Sequence, residues 1–250
     1  MSRRTEILKE MGLAPVWRLR ARAATRSEAL VEPASAVSAR PVPAPTESAS
    51  PAGSREERIA RMGWEELKAA VAACTACGLR AGCSQTVFGV GDEKAQWMLV
   101  GEAPGAEEDR LGEPFVGQAG RLLDNMLAAI SLERGANVYI ANVLKCRPPG
   151  NRNPEPEEIE KCSPHLLRQI ALIQPRLIVA MGRFAAQTLL KTDATIASLR
   201  GRVHQFAGVP LVVTYHPAYL LRNLPDKSKA WADLLFAKRS IENRGQTTIS

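Results

Sequence analysis

The chain has 250 residues, enough for one large domain or two small ones, and its 45% apolar content is ordinary for a globular core. Its net charge of +7 favours an anionic partner such as nucleic acid, although seven Arg or Lys against three Glu put +4 of that charge in residues 1–30. No apolar run approaches the roughly 20 residues that span a bilayer, and the amino terminus lacks the apolar core of a secretory signal. The expectation is a cytoplasmic protein with no membrane partner, in which five cysteines serve as metal ligands or free thiols.

Residues 1–30 read as a basic tail. Within it, Ile7, Leu8, Met11, Leu13, Val16, Trp17 and Leu19 make residues 1–22 a candidate docking peptide, too short to fold alone. Residues 31–54 form a Pro/Ala/Ser-rich linker that cannot bury a core. The folded domain is expected over residues 55–240, opening with a Ser54-capped helix to Arg61 and a helix from Trp64 to Ala73 that runs into Cys74.

Trp97 to Val100 reads as a buried strand of a parallel sheet. A glycine-rich turn, Gly101-Glu102-Ala103-Pro104-Gly105, follows and delivers Glu107, Glu108 and Asp109. Phe115 then sits between Pro114 and Gly117, ahead of a helix from Ala119 to Ile130. Val138 to Leu144 is a second strand, ending at Lys145-Cys146, and residues 147–156 are turn material with four prolines. A helix opening on Glu155, Glu157 and Glu158 reaches Cys162, where Ser163-Pro164 is expected to restart it as cap and first-turn proline. Leu177 to Met181 and Leu211 to Thr214 are further strands. A helix from Arg183 to Leu190 lies between them, and one from Lys227 to Lys238 follows, with residues 241–250 frayed. Strands alternating with helices imply an α/β fold: a mainly parallel, four-stranded sheet with helices on both faces, a three-layer sandwich.

Two constellations carry chemistry. Cys74-x-x-Cys77 gives the spacing of neighbouring ligands to one metal or cluster, and Cys146 and Cys162 supply a second pair. Spacing alone does not choose between tetrahedral zinc and a four-iron cluster, and Cys83 is left as a free or buried thiol. Separately, three strands end in Glu102, Asn142 and His216, which parallel pairing would bring to one edge of the sheet, where open α/β sheets bind ligands. An Asn amide suits the edge of a pyrimidine, a neutral His can donate to a developing anion, and Phe115 can stack on a flat ring. The acids near the first strand end suggest a positioned base or an organiser of water.

These residues resemble family 4 uracil-DNA glycosylases, the iron–sulfur members of their superfamily. The resemblance runs over about residues 64–240 through Gly101-Glu102-Ala103-Pro104-Gly105, Pro114-Phe115-Val116-Gly117, Asn142 with Lys145-Cys146-Arg147-Pro148-Pro149, and His216-Pro217-Ala218. It implies a [4Fe-4S] cluster on Cys74, Cys77, Cys146 and Cys162. It also implies a monomeric, monofunctional repair enzyme, used at a bacterial nucleoid, that flips uracil from single- or double-stranded DNA and hydrolyses its N-glycosidic bond. Pro-Pro-Gly-Asn-Arg-Asn-Pro stands where a covalently trapping variant carries Lys-Arg-Arg-Ile-His.

In that reading the backbone of Gly101, Glu102 and Ala103, with Phe115, Asn142 and His216, binds uracil. His216 stabilises the leaving anion, and Glu108 or Glu102 positions the water. Lys145 and Arg147 contact DNA, and Leu221 and Arg222 in a loop from Tyr219 form the wedge. The resemblance does not cover the tail, where the apolar, tryptophan-bearing residues 1–22 are separately expected to dock a replication or repair protein. The alternative is a non-catalytic nucleic-acid-binding iron–sulfur or zinc module.

Overall fold

A computed structural model describes residues 53–246; the basic tail, the docking peptide, nearly all of the linker and the last four positions lie outside the described residues. The first helix, α1 (Arg55–Arg61), starts at a reciprocal cap: Ser54 Oγ accepts from the Glu57 N–H, and Glu57 accepts from the Ser54 N–H, each at 3.1 Å. Helix α2 (Trp64–Ala72) and the single turn α3 (Leu79–Gly82) bracket Cys74 and Cys77.

The sheet has six strands, β1 (Val90–Gly91), β2 (Trp97–Gly101), β3 (Val138–Asn142), β4 (Leu177–Met181), β5 (His204–Phe206) and β6 (Val209–Thr214), in the order β1-β3-β2-β4-β6-β5. The four central strands are parallel and correspond to the four expected ones. β1 and β5 pair antiparallel on the two edges and correct the four-stranded expectation. β5 and β6 form a hairpin through Ala207 and Gly208, both left-handed (φ 48° and 79°), the conformation that matches strand twist in a two-residue turn.

Alternation along the strands builds two cores. Met98, Val100, Ile178, Ala180, Leu211 and Val213 face one side, which helix α6 (Pro156–Ile173) and helix α7 (Arg183–Leu190) cover. Trp97, Leu99, Ile140, Val179 and Val212 face the other, under helix α5 (Gln118–Ala129) and the last helix, α10 (Lys227–Gln246). The result is the three-layer α/β/α arrangement.

Two helix expectations are corrected. Pro164 does not restart a helix; α6 runs 18 residues through it, and the Ser163 hydroxyl donates to the Ile159 carbonyl at 2.6 Å instead of capping. The terminal helix continues to Gln246, well past Lys238 and into the segment expected to fray.

Candidate active site

Parallel register brings the carboxyl ends of the central strands level: Gly101 pairs with Asn142, and Met181 with Thr214. Glu102 follows β2 directly and His216 follows β6 after Tyr215, so the three strand-end residues meet on one edge. They line an 840 Å³ cavity together with Ala103, Glu108 and Phe115. Gly101 is required by close approach, because a Cβ there would press on Asn142 Oδ1 and lie 2.6 Å from Phe115 Cζ.

Each side chain is held by something specific. Asn142 is buried, and its Oδ1 has no hydrogen-bond donor among the described residues, an arrangement native interiors rarely leave without a purpose. His216 caps the short helix α9 (Pro217–Arg222): its Nδ1 accepts from the Ala218 N–H at 3.1 Å, which puts the proton of the neutral ring on Nε2. Burial pushes its pKa down to about 4, Glu108 opposing and Arg222 adding to the fall, so the ring is neutral at physiological pH. Glu102 is displaced the other way: burial raises its carboxyl to about 7, against the pull of Arg183.

Phe115 stacks on His216 with ring centroids 5.3 Å apart. It holds a left-handed backbone (φ 57°) that costs energy in an aromatic residue. Two clamps maintain it. Arg134 donates to the carbonyls of Pro114 and Phe115 and pairs with Asp124, and Glu108 Oε1 accepts from the N–H groups of Val116 and Gly117. Glu108 Oε2 meanwhile accepts from Gly105 N–H at the start of helix α4 (Ala106–Leu111). Both oxygens of Glu108 are therefore committed to backbone. The other two acids of this segment are committed as well: Asp109, buried, accepts from Ser84 N–H, and Glu107 pairs with Arg110.

Lys145 corrects an expectation. It does not face DNA: it is 2% exposed, and its ammonium donates to the carbonyls of Phe88 and Asn142 and to Gln169 Oε1. Burial lowers its pKa to about 8. Its role is to brace β3 just behind Asn142. Arg147 is half-buried and bonds Asn151 Oδ1 at 2.7 Å. Leu221 and Arg222 are exposed on α9 and not in the loop expected there, and Arg222 lines the cavity; Leu224, just after α9, is 61% exposed. Sequence reasoning missed Arg134, Arg183 and the buried Arg200–Asp233 pair (2.6 Å) that fastens Thr214 ahead of His216. No local pattern marks any of them.

Behind the active edge, Cys74, Cys77, Cys146 and Cys162 line one small cavity, and Cys83 is buried beside Cys146 but is not part of its wall. The Lys145 N–H donates to Cys162 Sγ at 3.3 Å, and Arg55 Nη2 lies 3.6 Å from Cys74 Sγ. Burial drives the Cys146 thiol up, neighbouring thiols adding to it, and pushes Cys162 up to about 11 despite the Lys145 charge. Four soft donors with N–H groups directed at them suit a group that supplies its own positive charge.

A parallel sheet whose strand ends present an amide, a neutral imidazole, a clamped aromatic ring and a carboxylate defines a base-binding α/β enzyme. The family model of the Uracil DNA glycosylase superfamily matches residues 88–235, and the chain belongs to that superfamily. It is 47% identical over 165 residues to the type-4 uracil-DNA glycosylase of Archaeoglobus fulgidus, covering 63% of this chain and 82% of the relative. The type-4 enzyme of Thermotoga maritima is 41% identical over 176 residues, covering 69% and 91%. A type-5 uracil-DNA glycosylase of Pyrobaculum aerophilum is 36% identical over 146 residues, covering 52% and 64%.

Proposed function

We propose that this chain excises uracil from DNA as a type-4 uracil-DNA glycosylase, and that Asn142 reads the base. The observation that carries this is the donorless Oδ1 of a buried Asn142 on the active edge. Uracil offers N3–H to such an acceptor and O4 to the amide donor. Cytosine reverses both groups, and leaving buried polar groups mismatched discriminates by orders of magnitude. Flipping delivers the base at a cost of a few kcal/mol. Exposed Leu221 and Arg222 would fill the gap it leaves.

The C1′–N1 bond then breaks towards an oxocarbenium-like sugar and a uracil anion. The His216 Nε2–H stabilises charge on O2 without itself ionising. Water attacks the sugar, and Glu102 is the carboxylate that holds it. Glu108 is already held by three backbone N–H groups at the start of α4 and beside Phe115, and its part is to fix Phe115.

The four cysteines of the rear cavity would hold a [4Fe-4S] cluster. Four thiolates are the ligand count of such a cluster, as they are of tetrahedral zinc, and the similarity to type-4 uracil-DNA glycosylases favours the cluster. When bound there, such a cluster would tie the Cys74 and Cys146 segments together, a structural and not a redox part.

The test is a labelled oligonucleotide carrying one uracil, incubated with the chain and cleaved with alkali. Uracil-dependent strand breaks, lost in Asn142→Ala, support the reading. A catalytically inert protein that still binds DNA would favour a non-catalytic module.

A further inference from the structure

One buried polar side chain of the cysteine cavity has no task in base excision. His165, three residues after Cys162 on α6, is 2% exposed and lines the same small cavity as Cys74, Cys77, Cys146 and Cys162. Its Nε2 lies 3.1 Å from Arg55 Nη2. A guanidinium only donates, so Nε2 is the acceptor and the single N–H of the ring sits on Nδ1. That nitrogen is buried and has no partner among the described residues. A donor stranded in this way is costly unless something in the cavity accepts from it. The same Arg55 nitrogen lies 3.6 Å from Cys74 Sγ, so one residue of α1 touches both the ring and a ligand sulfur.

We propose that His165 donates its Nδ1–H to a sulfur of the cluster, with Arg55 fixing the tautomer, so that α1 and α6 close over the metal group as a latch. His165 is thus a positioning residue and not a fifth ligand. Ligation through Nδ1 would move the proton to Nε2 and set it against an Arg55 N–H. The inference rests on the cluster proposed above.

The test uses the full chain purified without oxygen, as wild type, His165→Leu and Arg55→Met. Its readouts are iron content, the midpoint potential and the rate of cluster loss to a chelator. Hydrogen bonds to cluster sulfurs raise the potential, and outer-shell partners are worth about 10–100-fold in metal retention. Both variants are therefore expected to show a more negative midpoint and cluster loss faster by roughly tenfold or more. Should His165→Leu not fold, Arg55→Met decides, since it leaves the imidazole in place but frees its tautomer. Full iron content with an unchanged midpoint and loss rate would overturn the role of His165 alone. A folded wild type without iron would overturn the cluster itself, and this inference with it.

Discussion

Replacing Glu102 by Gln separates the two candidate carboxylates by pH. The Glu102 carboxyl titrates near 7, so its ionised fraction falls about tenfold between roughly pH 8 and pH 6. If ionised Glu102 holds the attacking water, single-turnover uracil release falls by the same factor over that interval. His216, titrating near 4, stays neutral and adds nothing to the slope. Glu102→Gln should lower the rate on the order of 10²–10⁴-fold and flatten the profile.

Stability moves the opposite way. The folded-state pKa of Glu102 lies above its ordinary 4.5, so between 4.5 and about 7 the folded chain binds more protons than the unfolded one. The stability this contributes is whole below 4.5 and is lost as pH rises through about 7. Gln carries no charge at any pH. Glu102→Gln should therefore melt higher than wild type in mildly alkaline buffer and level with it in acid. A variant that keeps the rising limb, or whose melting difference is the same at both ends, refutes this assignment.

Glu108→Gln should keep the limb yet lower the rate at every pH and cost about 1–3 kcal/mol in denaturant melts, because it sets an amide NH₂ against backbone donors that now meet a carboxylate. Lys145→Met should destabilise the fold by about 1.5–3 kcal/mol for each charged hydrogen bond left unmade. It should leave the salt dependence of DNA binding, read by fluorescence anisotropy, unchanged. Arg222→Ala should reduce that salt slope by about one. Leu221→Ala should slow excision from duplex more than from single strands, since only the duplex leaves a gap in a stack for the side chain to fill.

The four central strands were legible because strands buried on both faces are written as unbroken apolar runs, and Glu102, Asn142 and His216 announced themselves by following those runs. The edge strands were not. β1 is two residues long, and β5 has exposed Gln205 between half-buried neighbours, so neither carries a hydrophobic signal. Pro164 reads as a breaker because its ring removes an N–H, but α6 is held by Leu166, Ile170 and Ile173 in the core, and packing outweighs the lost bond. Lys145 misled for a similar reason: a lysine beside a strand end is by default a surface charge. Only the acceptors at Phe88, Asn142 and Gln169, brought together by the fold, make a buried one tolerable.

The glutamates illustrate how local pattern and function part company. Glu57, Glu66, Glu108 and Glu158 each stand three residues after a helix cap, and each returns its carboxylate to the cap N–H, at 3.1, 2.8, 3.1 and 2.9 Å. Glu108, offered by the sequence as a holder of water, is thus employed at the start of a helix. Glu102 precedes that helix, can cap nothing, and is moved by burial and the Arg183 charge alone. A carboxylate that local structure does not employ, yet the fold buries on a ligand-binding edge, carries a cost that stability does not explain. The same argument applies to Asn142 Oδ1. On the active edge, Asn142 and Glu102 are the residues that a flipped uracil and its attacking water would complete.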